Sequence, residues 1–93
     1  MRVFIADDEP PARARLRRMV EELPDCEVVG EAENGREALQ GCSDFAPTVV
    51  LLDIRMPDMD GIEAARHIAE LEDGPAVIFT TAYDHYAIDA FDA

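Results

Sequence analysis

The stretch Thr48-Val49-Val50-Leu51-Leu52-Asp53 is apolar and rich in β-branched residues; it follows Pro47 and ends at a carboxylate. A run of this length and composition is typical of a strand buried on both faces of a parallel sheet. We therefore predict that residues 48–52 form a central strand. Such a strand places Asp53 at its carboxyl end.

Three further stretches on either side of this strand have strand character. Residues 3–6 form a short apolar run that is followed by Asp7 and Asp8, and residues 76–80 form another that is followed by Thr81. Residues 26–32 have a lower apolar content, which favours an edge position in the sheet. The sequence therefore predicts four strands.

Helical periodicity separates these strands. Apolar residues recur at helical spacing after Pro10-Pro11, so we expect a helix that ends at Pro24. Asn34 is placed to cap a second helix, and a third begins at Ile62 and ends before Gly74-Pro75. A fourth helix is predicted near the end of the chain. The predicted buried stripe of the first helix consists of Ala12, Leu16, Met19, Val20 and Leu23. The apolar positions of the last helix are Tyr86, Ala87, Ala90 and Phe91.

The alternation of strands and helices predicts an α/β fold with a doubly wound parallel sheet. In such open sheets, ligands bind beyond the carboxyl ends of the strands, near the point where the strand order reverses. Three strands end there in residues that can bind or react, so we expect those side chains to converge at one edge. These residues are Asp7, Asp8, Asp53, Thr80 and Thr81.

Clustered carboxylates repel one another unless they share protons or bind a cation. A few carboxylates completed by water suit Mg²⁺, whereas the plain alternative is a solvated acidic loop. A carboxylate next to bound Mg²⁺ can also attack phosphorus and form an acyl phosphate. Asp53 is the best candidate nucleophile because it is the lone carboxylate on the central strand, which leaves Asp7 and Asp8 to hold the metal.

Composition narrows the function classes. The formal net charge is −13, and all eight basic residues are arginine, so this chain alone is not expected to bind nucleic acid. The longest apolar runs are too short for a membrane span or a signal peptide. Cys26 and Cys42 match no metal-binding spacing, which favours a reducing, cytoplasmic setting. The length of 93 residues predicts one domain, over residues 1–93.

Three motifs resemble the signatures of a response-regulator receiver domain in order and spacing. They are Ile5-Ala6-Asp7-Asp8-Glu9-Pro10, the segment from Val50 to Gly61 that contains Asp53 and Met56-Pro57-Asp58, and Thr80-Thr81-Ala82. The residues Pro10 to Arg13 and the segment from Ala82 to Phe91 also resemble the LytR/AlgR-type branch. Receivers of that branch usually precede a LytTR DNA-binding domain, which this chain is not expected to contain.

The resemblance implies a flavodoxin-like (CheY-like) fold and a signalling phospho-acceptor, not an enzyme beyond self-catalysed phosphotransfer and dephosphorylation. Asp53 would accept a phosphoryl group from a sensor histidine kinase. Asp8, Asp53 and the Arg55 backbone carbonyl would bind Mg²⁺ directly, Asp7 would help through water, and Thr81 would be the switch hydroxyl. Pro57 and Gly61 would shape the loop after Asp53, Gly61 by adopting backbone angles that other residues disfavour.

The C-terminus departs from the family pattern. Family members continue into a fifth strand, which carries a phosphate-binding lysine, and a fifth helix, whereas this sequence contains no lysine. We therefore expect a C-terminally truncated receiver with strand order 2-1-3-4. The fourth strand would then be an exposed edge, which favours a homodimer or an exchange of elements between two copies.

Two other functions stay open at this point. One is an interaction module that retains the acidic site but is not phosphorylated, because the lysine is missing. The other is a phosphohydrolase, which is disfavoured because Arg55 stands two residues after Asp53, where a second acid would be needed. The arginines of the first helix, Arg13, Arg15, Arg17 and Arg18, are either a docking face for an acidic partner or a solvated surface paired with Glu21 and Glu22.

Overall fold

The computed structural model describes residues 1–80 and contains four strands and three helices over that range. The helix predicted from Tyr86 to Phe91 lies outside the described residues. The elements alternate along the chain as the sequence predicts. They are β1 (Arg2–Ala6), α1 (Pro10–Glu21), β2 (Glu27–Ala32), α2 (Gly35–Phe45), β3 (Val49–Leu52), α3 (Gly61–Ala69) and β4 (Ala76–Phe79).

All strand pairs of the sheet are parallel, and the strand order is β2-β1-β3-β4. This confirms the predicted order 2-1-3-4, with β2 at one edge. The register places Ala6 opposite Leu52, and Leu52 opposite Phe79. Strands β1, β3 and β4 therefore end at nearly the same level, which aligns the residues that follow them.

The sheet separates two apolar clusters. On the side of α2 and α3, the fully buried side chains of Phe4, Leu52 and Ile68 form the larger cluster. On the side of α1, Ile5 packs with Val20 in the smaller one. Because adjacent residues of β1 enter opposite clusters, the strand is buried on both faces and holds a fixed depth in the molecule.

The predicted apolar stripe of α1 is only partly correct. Val20 is buried and Leu16 is half-buried, but Met19 and Leu23 are 57% and 53% exposed. The helix also ends at Glu21, before Pro24, so Leu23 lies beyond its last turn. A stripe assigned from periodicity alone includes every apolar residue near the face, whereas α1 contacts the sheet along a narrower line.

Side-chain caps fix the beginnings of α2 and α3. The Asn34 side-chain oxygen accepts a hydrogen bond from the Glu37 N–H at 2.8 Å, which confirms the predicted cap. Asp60 accepts from the Glu63 N–H at 2.9 Å, a cap that the sequence interpretation did not identify. Helix α3 ends at Ala69, earlier than the predicted boundary at Gly74-Pro75. Within residues 1–80, no helix has the length and apolar character needed to cross a membrane.

Candidate functional site

The carboxyl ends of β1 and β3 place three aspartates side by side. Asp7 follows β1 and Asp53 follows β3, and the Asp53 N–H donates to the Ala6 carbonyl at 2.9 Å. On the other side, the Asp7 N–H donates to the Ala32 carbonyl of β2 at 3.1 Å. Continued sheet pairing therefore holds the backbones of both residues.

Carboxylate oxygens of Asp7, Asp8 and Asp53 all lie within 4.8 Å of one another. Asp7 is 6% exposed, Asp53 is half-buried and Asp8 is exposed, so the cluster opens to solvent on one side. The candidate ligand atoms are carboxylate oxygens only. This set fits a hard cation of the Mg²⁺ type better than a soft metal that prefers nitrogen or sulfur.

The environment of Asp53 disfavours its ionised form. Burial, followed by the negative charge of Asp7, raises the pKa of the Asp53 carboxyl to about 6. Hydrogen bonds from the backbone at Ile54 and Arg55 act in the opposite direction. A cation bound between the aspartates would offset the repulsion and favour the carboxylate.

The loop between β3 and α3 requires glycine at position 61 because two segments of backbone come very close there. The Gly61 N–H donates to the Ile54 carbonyl at 2.8 Å, and a Cβ at position 61 would overlap the carbonyl oxygen of Asp53. The expected reason for this glycine, unusual backbone angles, is wrong: its φ is not positive. Asp58 adopts the left-handed conformation instead, with φ of 70°.

The same loop is attached to the start of α2. The Gly35 N–H donates to the Met59 carbonyl at 2.9 Å, and the Arg36 guanidinium pairs with the Asp58 carboxylate at 2.9 Å. The Met59 side chain packs against the larger apolar cluster. The loop that follows Asp53 is therefore held at both its ends and its middle.

The structure gives less information on the other two predicted site residues, Arg55 and Thr81. Arg55 lies in the loop two residues after Asp53, with an exposed side chain, and its backbone carbonyl as a metal ligand stays a prediction. Thr81 lies outside the described residues. Its neighbour Thr80 donates its N–H to the Leu52 carbonyl at 3.0 Å, so the end of β4 meets the same edge of the sheet.

Sequence reasoning missed Arg13 as part of this site. It appeared as one of several arginines on the exposed face of α1, but its guanidinium donates to the Asp7 backbone carbonyl at 2.7 Å. The signal that could have found it is the short connection from β1 to α1. Because only three residues separate the two elements, the first turn of the helix lies next to the end of the strand.

Several curated relatives of this chain are bacterial regulatory or sensory transduction proteins. An uncharacterised response regulatory protein of Vibrio cholerae is 52% identical over 89 residues, which is 95% of this chain and 34% of the relative. The positive alginate biosynthesis regulatory protein of Pseudomonas aeruginosa is 50% identical over 98% of this chain and 37% of its own length. The sensory transduction protein LytT of Bacillus cereus is 37% identical, with 99% and 37% coverage. The chain thus spans about a third of the length of these relatives.

Solved structures share the fold. The response regulator domain of CheB from Thermotoga maritima superposes with a TM-score of 0.88 at 32% identity, over 99% of this chain and 71% of that one. A CheX-CheY-BeF3-Mg²⁺ complex from Borrelia burgdorferi gives a TM-score of 0.86 at 26% identity, over 99% of this chain and 71% of the matched one. These likenesses confirm the predicted receiver fold.

The family model for the response regulator receiver domain matches residues 3–93. That range contains each strand end at which an aspartate of the cluster lies, and the regulators from Pseudomonas and Bacillus agree with the resemblance to the LytR/AlgR-type branch. On the sequence motifs, the sheet order and these matches together, the chain belongs to the response regulator receiver domain family.

Proposed function

We propose that this chain is a phospho-acceptor module in which Asp53 receives a phosphoryl group from a sensor histidine kinase. The observation that carries the proposal is the arrangement of Asp7, Asp8 and Asp53, with carboxylate oxygens within 4.8 Å at the carboxyl edge of the sheet. An acidic cluster alone does not specify this chemistry. Further support comes from the position of Asp53, which directly follows β3, an inner strand of the sheet, and is half-buried beside the other two aspartates.

The proposed reaction transfers a phosphoryl group from a phosphohistidine to Asp53. A carboxylate oxygen of Asp53 attacks the phosphorus of the donor's phosphohistidine, a P–O bond forms, and the P–N bond breaks with its electron pair leaving on the imidazole, which takes up a proton. Bound Mg²⁺ would supply charge neutralisation for the phosphoryl oxygens and the carboxylates. In this chain Asp7, Asp8, Asp53 and the Arg55 backbone carbonyl would hold it.

The proposal also extends to the whole protein. We include in the proposal a cytoplasmic setting, a conformational switch through the Thr81 hydroxyl, and control of transcription through a LytTR domain. The chain itself carries a formal net charge of −13, which opposes direct contact with DNA. No enzymatic activity beyond acceptance and loss of the phosphoryl group belongs to the proposal.

The direct test is phosphorylation with acetyl phosphate and Mg²⁺, followed by intact mass. We expect a phosphate-sized gain for the wild type, none for Asp53→Asn, and none when the metal is chelated. Asp44→Asn is a matched control because Asp44 is an exposed carboxylate on α2, and its gain should equal that of the wild type. A wild type that binds Mg²⁺ but gains no mass would favour the non-phosphorylated interaction module instead.

A further inference from the structure

The Arg13 guanidinium connects the acidic cluster to the rest of the molecule through two different nitrogens. Nη1 donates to the Asp7 backbone carbonyl at 2.7 Å, and Nε pairs with a Glu31 carboxylate oxygen at 3.2 Å. The Arg13 side chain is only 16% exposed. A long, flexible side chain that is held at two points and mostly buried has lost most of its freedom, so its geometry is defined.

The carbonyl that Arg13 holds belongs to the peptide unit between Asp7 and Asp8. The other side of Asp7 is already fixed, because its N–H donates to the Ala32 carbonyl at 3.1 Å. Its carboxylate also accepts the Glu9 N–H at 2.9 Å. The orientation of the Asp7–Asp8 peptide decides where the Asp8 side chain points, and the Arg13 bond restrains that orientation.

Glu31 pairs with the positive charge of Arg13 next to the acidic cluster. An unpaired guanidinium next to three aspartates would compete with a cation for the same oxygens. Glu31 occupies the Nε side of Arg13, and its second oxygen pairs with Arg17 at 2.7 Å. Arg17 pairs in turn with Glu21 at 3.3 Å. These ion pairs join two arginines to two glutamates, and Nη1 of Arg13 donates to the Asp7 carbonyl.

We infer that Arg13 is a positioning residue for the cation site: by holding the Asp7–Asp8 peptide, it pre-orients the two carboxylates that follow β1. This inference rests on the proposed function, because the cation it refers to is the Mg²⁺ of that proposal. Groups that orient metal ligands from outside the coordination shell contribute substantially to metal affinity. Arg13 acts through a backbone carbonyl, so it influences the site without occupying a ligand position.

The test measures Mg²⁺ binding by isothermal titration calorimetry. It uses the full chain as wild type, Arg13→Gln and Arg17→Gln. Arg17 is the matched control because it shares Glu31 with Arg13 but does not contact Asp7. We expect the dissociation constant for Mg²⁺ to rise about tenfold in Arg13→Gln. Arg17→Gln should bind as the wild type does. Equal affinity in Arg13→Gln and the wild type, or equal losses in the two variants, would overturn the inference.

Two further measurements separate positioning from a general structural role. With acetyl phosphate, the Mg²⁺ concentration for half-maximal phosphorylation should rise in Arg13→Gln, while the rate at saturating Mg²⁺ stays near that of the wild type. Arg13→Lys retains a charged donor for the Asp7 carbonyl, so it should recover most of the wild-type affinity for Mg²⁺. This variant tests the inference even where Arg13→Gln does not fold. A lysine variant without recovery would overturn the inference. A wild type with no affinity for Mg²⁺ would overturn it together with the proposed function.

Discussion

The protonation of Asp53 is coupled to folding because its pKa differs between the folded and unfolded states. Burial and the nearby Asp7 charge raise the folded-state pKa from 3.8 to about 6. Between these two values the folded protein holds the Asp53 proton more tightly than the unfolded chain does. In the metal-free protein this group therefore contributes stability at low pH, and the contribution is lost as pH rises through about 6.

Comparison of the wild type with Asp53→Asn isolates this effect. Without metal, we expect the variant to gain about 1 kcal/mol of unfolding free energy relative to the wild type between about pH 4 and about pH 7, after allowance for solvent screening. The measurement is urea denaturation in chelator at several pH values. Asp44→Asn, remote from the cluster, should follow the wild type throughout. A stability difference between wild type and Asp53→Asn that is independent of pH would contradict the prediction.

Single residues differ in how far the sequence predicts their roles. Asp7, Asp8 and Asp53 could be placed because each follows an apolar run whose end is visible locally. The pKa of Asp53 could not be predicted from the sequence, since it depends on how deeply the end of β3 is buried and on the distance between Asp53 and Asp7 at the end of β1. Arg13 was missed for a related reason: its contact with Asp7 joins two elements, and no pattern within α1 records it.

At the scale of elements, the β3–α3 connection depends on the missing side chain of Gly61. Because a Cβ there would overlap the Asp53 carbonyl oxygen, Gly61→Ala must displace either the start of α3 or the end of β3. We expect a loss of about 2 kcal/mol in the free energy of unfolding, as in other overpacked sites. Urea denaturation monitored by circular dichroism measures it.

The control for this prediction is Arg66→Ala, an exposed change on the same helix, which should alter the free energy by no more than about 0.5 kcal/mol. If Gly61→Ala were as stable as this control, the close approach would not constrain the loop. The sequence motif predicts a special role for Gly61, and the expected reason was its backbone angles. The actual cause, contact with a residue eight positions away, becomes visible only when the loop is folded.

Local sequence patterns predicted the type of each secondary-structure element more reliably than they predicted which of its residues are buried. The strands and helices of residues 1–80 occur in the predicted order, although α1 and α3 end earlier than predicted, and the Asn34 cap forms as expected. The exposure of Met19 and Leu23 could not be predicted, because it depends on which part of α1 meets the sheet. Periodicity defines a helix face, whereas the packing partner defines how much of that face is buried.

At the scale of the whole molecule, the outer edge of β4 is a candidate surface for self-association among the residues that the structure describes. Within residues 1–80 it pairs with β3 along one side, and no strand pairs with its other side. Ile78, on the same face of the sheet as Leu51, is 53% exposed. A strand edge with an exposed apolar side chain is a template for pairing with a second chain, and β4 (Ala76–Phe79) contains no charged residue that would oppose such pairing.

We therefore expect the chain to form dimers through β4, with a mass that rises with protein concentration in size-exclusion chromatography with light scattering. Ile78→Lys should shift the protein to the monomer, because a charge on an edge strand opposes pairing. Leu23→Lys is the matched control: Leu23 is equally exposed but lies outside the sheet, so this variant should assemble as the wild type does. Added salt should strengthen the dimer, since it screens the repulsion between two chains that each carry a formal charge of −13. A wild type that stays monomeric at every concentration and salt level would exclude association through this edge.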